Sequence, residues 1–170
     1  MAPVDELAAI GRAYIEAIDA RAWVAVGELW QPGAIDHFVG IAELRAPDEV
    51  TAFFTGVVAA VPDMTIEIRS VTAQDDRVVV HWRMRGTFDG TGTLLGVAPN
   101  GRRLDLLGTD VLVIGDGRIV ANTAIVNGLE FARQLAVLPP AESLAERVLF
   151  GVVNAAAPLA RRLRARRADA

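Results

Sequence analysis

The chain has 170 residues, 52% of them hydrophobic and 22% charged, and a net charge of −4. That balance describes one globular domain with a real core and excludes a disordered chain. There is no cysteine and no lysine, all 17 basic residues being arginine, which excludes thiol nucleophiles, cysteine metal clusters and side-chain Schiff bases.

The last ten residues, RRLRARRADA, carry five arginines and one aspartate, so the body of the chain is acidic and no nucleic-acid partner is expected. No apolar run is long enough to span a bilayer, and MAPVDELAAIGRAY lacks the pattern of a secretory leader; a cytoplasmic location is the expectation.

Residues 5–19 place Leu7, Ile10, Tyr14, Ile15 and Ile18 at helical spacing, with Asp5 as cap or first-turn acid. RAWVAVGELW, 21–30, predicts a second short helix ending near Pro32, and GAIDHFVGIAELRAP reads as loop. PDEV starts a third helix with Asp48 suited to the N-cap; Val50, Phe53, Phe54, Val57, Val58 and Val61 form its apolar face, and Pro62 ends it.

The period then changes to two. Strands are predicted over Met64–Val71, Arg77–Gly86, Arg102–Ile114 and Ile119–Val126. Asp75-Asp76 and GDGR are their turns, and the glycine-rich 89–101 is an excursion. LEFARQLAVL forms a short helix before Pro139-Pro140. Ala141–Ala160 carries an amphipathic stripe through Leu144, Val148, Leu149, Val152, Val153, Ala156 and Leu159, which Pro158 should kink or cut. Three helices, an antiparallel meander of about four strands and further helices imply an α+β fold. Helices would then cover one face of a curved sheet and leave a cavity at its open end.

The run GVAPNGRRLDLLGTDVLVIGDGRIVANTAIVNGLEFARQLAVLP resembles the signature region of SnoaL-like polyketide cyclases. The matching elements are the G-x-x-P-x-G-R loop, a strand, the DGRIV turn, a strand and the ending RQLAVLP; AIDHFVG and FFTGVVAAVPDMTIEI fit the family's early region. These cyclases belong to the nuclear-transport-factor-2-like superfamily, which also holds ketosteroid isomerases and limonene epoxide hydrolases. The resemblance spans roughly residues 5–139, so 1–139 is read as a cone-shaped SnoaL-like domain and 140–170 as an appended amphipathic helix and arginine-rich tail. It implies a cofactor-free cyclase or isomerase acting on a hydrophobic, oxygenated, polyketide-like molecule.

Within LLGTDVLVIGDG, a lone aspartate stands among leucines and valines. Alternation puts Leu106, Asp110, Leu112 and Ile114 on one face. A carboxylate in an apolar cavity ionises nearer neutrality and is suited to accept and return a proton; the competing reading is a structural aspartate bonded to amides or an arginine. His37, in a loop near the cavity by resemblance, is its expected helper, with Asp36 orienting it or facing water. Trp82, on the opposite parity from His81, Arg83 and Arg85, is expected to line the cavity with Phe53, Phe54 and Leu112. The basic trio then lies on the outer sheet face, where a homodimer is expected. Two histidines offer no metal cluster.

One departure matters. Where the resembling cyclases carry an acid–base aspartate after the DG-K/R-I turn, this chain has Ala124, and the next acid becomes Asn127. Either the proton role has moved to Asp110, with Asn122 and Asn127 holding a substrate oxygen, or the cyclase reaction is lost and the cavity only binds. Asp105, of opposite parity, should pair with an arginine outside. Arg103-x-Asp105 weakly resembles the epoxide-hydrolase branch, whose second aspartate is missing. The final helix is expected to dock on its own domain, as a lid among other placements, or on a partner subunit, with a membrane surface as the alternative.

Overall fold

The computed structural model describes residues 3–168, with side chains through Pro158. In chain order the elements are α1 (Val4–Asp19), α2 (Trp23–Leu29), β1 (Trp30–Phe38), β2 (Ala42–Arg45), α3 (Asp48–Ala60), β3 (Thr65–Gln74), β4 (Arg77–Phe88), β5 (Arg102–Gly115), β6 (Arg118–Val126), α4 (Gly128–Gln134) and α5 (Leu144–Ala168). The strands form one curved, open sheet in the order β2-β1-β6-β5-β4-β3. The meander β3 to β6 is antiparallel as expected. Register shifts in three of the sheet's ladders, β1 with β6, β3 with β4 and β5 with β6, mark bulges, which twist and bend a sheet.

Residues 33–47 depart from expectation. They are not loop: β1 runs parallel to β6, its Asp36 opposite Asn122, and β2 folds back on β1. Six strands therefore replace the expected four. Asp48 does not cap α3; Pro47 holds that position without a side-chain bond, and Asp48 sits in the first turn, where its charge favours the helix dipole.

α1 presents Leu7, Gly11, Tyr14, Ile15 and Ile18 to the sheet and packs across β3 and β4. Gly11 sets that distance: a Cβ there would stand 2.6 Å from Val78 and 3.0 Å from Val80. The close approach carries the Tyr14 ring down to Trp30 on β1, edge to face at 5.6 Å. On β4 and β5 every second residue is buried, with Val78, Val80, Trp82 and Met84 facing Leu104, Leu106, Asp110 and Leu112 on the helix side.

Pro158 lies inside α5 and does not end it. The helix begins against the domain through an Arg133–Glu146 ion pair of 2.5 Å, but Leu144, Val148, Phe150, Val152 and Val153 are exposed. The described part of the stripe is thus not docked on its own domain, and no α5 residue with a described side chain lines the cavity, so these residues do not form the expected lid. Leu159 and the tail arginines lie outside the residues whose side chains are described. No helix among the described residues is long and apolar enough to cross a membrane.

Candidate functional site

A cavity of about 340 Å³ lies between the inner sheet face, α1 and α3. Ile15 and Ile18 come from α1; Phe53, Phe54 and Val57 from α3; Phe38 from β1; Trp82, Met84 and Leu106 from the central strands. Thr93, Leu94 and Leu95 of the 89–101 excursion close another side. Phe38, Phe53 and Phe54 form a mutually tilted aromatic cluster with centroids 5.1 to 6.0 Å apart. Asp110 is the single ionisable residue on the described walls.

Backbone register explains how a carboxylate is held there. Trp82 stands opposite Gly108, and a Cβ on Gly108 would lie 2.2 Å from the indole ring. Glycine lets the indole lie across β5, so that Nε1–H reaches the Asp110 carboxylate two residues on. From the other side, the Asn122 amide donates to Asp110 Oδ1 at 2.5 Å and, with the same nitrogen, to Asp36 Oδ1 at 3.0 Å. Tyr14 Oη–H donates to Asp36 Oδ2 at 3.2 Å. A buried polar chain thus runs Tyr14, Asp36, Asn122, Asp110, Trp82 from α1 to β4, with only its Asp110 and Trp82 end on the cavity wall.

This chain is a charged site in a dry place. Burial pushes Asp110 up to about 6, against the pull of its bonds from Asn122 and Trp82. Burial pushes Asp36 up to about 7, the nearby Asp110 charge adds to this, and the bonds from Tyr14 and Asn122 oppose it. The Tyr14 hydroxyl is raised by its burial and by both carboxylates, so it stays a donor. Two full charges about 5 Å apart, as oxygens sharing the Asn122 nitrogen can be, would repel by roughly 3 kcal/mol at an effective dielectric constant of about 20. The cluster can therefore hold and release protons close to neutral pH, and it offers a base to whatever fills the cavity.

A family model described as SnoaL-like polyketide cyclase matches residues 8–135. The chain belongs to that family. A search of curated proteins gave no significant match. Among solved structures, a proposed SnoaL-like polyketide cyclase from Jannaschia sp. CCS1 superposes with a TM-score of 0.72 at 20% identity, over 82% of this chain and 98% of its own. AclR, a proposed hydroxylase from Streptomyces galilaeus, gives 0.69 at 23%, over 81% and 100%. An LEH-like epoxide hydrolase from M. tuberculosis gives 0.61 at 14%, over 79% and 92%. At such identities the likeness establishes the fold and leaves the reaction to the site.

Within this SnoaL-like fold the expected site residues separate into two groups. Asp110, Trp82, Phe53 and Phe54 line the cavity. Leu112 is fully buried in the core and is not on the wall. Asn122 is buried, but its amide protons go to the two carboxylates rather than to the cavity. His37 is exposed on β1, because alternation sends Asp36 inward and its neighbour outward. Asn127 is exposed and caps α4, accepting from Glu130 N at 3.1 Å. Asp36, read as surface or as an orienter of His37, is instead wholly buried, and Tyr14 is its partner. The signal that would have found Asp36 is its shared parity with apolar Phe38 in AIDHF; nothing local marks Tyr14.

Ala124, where the resemblance implies an acid, is buried on β6 opposite the Asp110 carboxylate that this chain does carry. Outside, Arg83 grips Asp105 through two bonds of 2.7 and 2.5 Å, as the sequence suggests.

Proposed function

We propose that this SnoaL-like protein is an enzyme that moves a proton beside a carbonyl group of a hydrophobic, oxygenated, polyketide-like molecule, giving cyclisation or isomerisation. What carries this reading is the single ionisable group among the described residues of the cavity wall, Asp110, held by Trp82 and Asn122 and raised to about 6 by burial. Ionised Asp110 takes a proton from the carbon next to the carbonyl, and the C–H electron pair enters an enolate. The proton returns to a different carbon in an isomerisation. In a ring closure the enolate carbon attacks a second carbonyl, and Asp110 gives its proton to the resulting alkoxide. Phe53, Phe54 and the Trp82 ring hold the apolar skeleton. No redox partner or metal enters this chemistry. His37 and Asn127 take no part, because both are exposed away from the cavity.

A second reading, a binding protein without turnover, draws on one observation. Both Asn122 N–H groups are already engaged by carboxylates, so the amide expected to hold a substrate oxygen is not free to do so. The epoxide-hydrolase reading draws nothing from the geometry: Arg103 and Asp105 are exposed on the outside of the sheet.

Exchange of the α-protons of 2-tetralone in D2O, followed by proton NMR, separates the two readings. The enzyme reading predicts saturable exchange that falls by about 10²- to 10⁴-fold in Asp110→Asn. Binding of the ketone with no exchange above the buffer rate supports the carrier instead.

A further inference from the structure

The proposed mechanism uses one carboxylate, yet the structure buries two. Asp36 Oδ1 and Asp110 Oδ1 accept from the same Asn122 nitrogen at 3.0 and 2.5 Å. They can be no further apart than those two distances laid end to end. Asp36 contacts no cavity-lining surface of its own, so it cannot touch a substrate directly.

A count of protons shows what it does. The chain has five carboxylate and amide oxygens, two on each aspartate and one on Asn122. It has four donated hydrogens: one from Tyr14, one from Trp82 and two from Asn122. Asn122 Oδ1 is the oxygen left over, buried without a partner. One extra proton on the carboxylate pair would bring donors and acceptors into balance.

The surroundings decide which aspartate takes it. The titratable groups facing Asp36 are Tyr14 from α1 and Asp110 from β5. Its strand partners, Leu44 on β2 and Asn122 on β6, are uncharged, and Glu43, Arg45 and His37 lie at the exposed alternate positions. Asp110 faces Trp82, Asn122 and an otherwise uncharged cavity. No described cation compensates either one. Each carboxylate accepts two bonds, but those to Asp36 are longer, 3.0 and 3.2 Å, than the 2.5 Å bond from Asn122 to Asp110, whose other donor is a ring fixed over Gly108, so the closer donors hold the charge on Asp110.

We propose that Asp36 is a positioning residue that shares one proton with Asp110 across Asn122, so that the pair carries a single negative charge and that charge sits on Asp110. The inference rests on the reading of Asp110 as the base and adds to it the group that sets its charge. Asp36 holds Asn122 with an N–H toward Asp110 and keeps its own charge neutral while Asp110 works. Tyr14 anchors the far end. Asp36 therefore governs the total charge of the pair and is not a group that handles the substrate.

Carbon-13 NMR of the aspartate carboxyl carbons across pH 4 to 9 tests this on the intact protein. Wild type is expected to show two coupled steps, Asp110 ionising first and Asp36 second. In Asp36→Asn a single step remains, close to the first wild-type step. In Asp110→Asn the Asp36 step moves down by at least half a pH unit, because the repelling charge has gone. An Asp36 step that does not move in Asp110→Asn, or an Asp36 that is ionised throughout the range, overturns the proposal. Asp36→Leu, which removes both bonds, controls for folding: proton sharing predicts that Asp36→Asn keeps the Asp110 carboxyl step near its wild-type pH and loses only the second step, whereas a purely structural role predicts that both variants displace the Asp110 step alike. The titration needs no turnover, so coupled steps without exchange would refute the enzyme reading and leave this inference standing.

Discussion

Asp105 and Asp110 lie five residues apart on the same strand and meet opposite fates. Asp105 points out of the sheet, where the bidentate bond from Arg83 holds its carboxyl below the usual range. Asp110 points in, where burial raises it to about 6. The difference is one of parity alone: an odd number of residues along β5 exchanges solvent and an arginine for an indole, an amide and a dry cavity. Two aspartates on one strand thus become an inert surface ion and a candidate base, and sequence neighbours count for less than the face a residue occupies.

Breaking the inner side should have the largest effect. Asp110→Asn is expected to abolish 2-tetralone exchange by about 10²- to 10⁴-fold while the variant stays folded, since the amide is nearly isosteric. Next comes Gly108→Ala. Its methyl would collide with the Trp82 ring, so overpacking should cost about 1–3 kcal/mol in denaturant unfolding. Displacing the indole also removes a bond that lowers Asp110, so the exchange profile should move to higher pH.

The pH dependence of stability sharpens the comparison further. Asp36 and Asp110 ionise at about 7 and about 6 when folded and near 4 when unfolded. Between those limits the folded chain binds more protons, so their contribution is fully present below pH 4 and is lost as pH rises through 6 and 7. Asp36→Asn removes one such group. Its stability relative to wild type should rise between pH 4 and pH 8 by roughly 2–4 kcal/mol, several degrees of Tm. Asp105 has the opposite sign: its lowered carboxyl stabilises above pH 4 and loses that effect on acidification. Arg83→Ala on the exposed outer side should do least, moving Tm by about 1 °C or less at moderate salt.

What the sequence disclosed follows from the same parity argument. The alternation in RVVVHWRMRG and LLGTDVLVIG is regular enough to place Trp82 and Asp110 inside and Arg83 and Asp105 outside. Three helical stripes and four strands could be located the same way. The strand β1 was hidden because Gly33, Gly40 and flanking prolines make 33–47 look like loop, and because its pairing is with β6, some 86 residues away. Without β1, nothing assigns Asp36 a face, and the expectation for His37 rests on the resemblance alone. The partners of Asn122 come from β1 and β5, and only three dimensions show that two carboxylates claim its amide. Of the two placements expected for α5, on its own domain or on a partner subunit, the first is not seen: the exposed valines, leucine and phenylalanine show that its described apolar side is not covered by its own domain.

The central claim is that Asp110, ionising near 6 in an apolar cavity, is the base. The pH profile of 2-tetralone exchange by the wild-type protein tests it most directly. The account predicts a rate that climbs through a midpoint near 6, above the ordinary range of a carboxylate, and a climb that vanishes in Asp110→Asn. A midpoint near 4, or a profile that Asp110→Asn leaves unchanged, would contradict it.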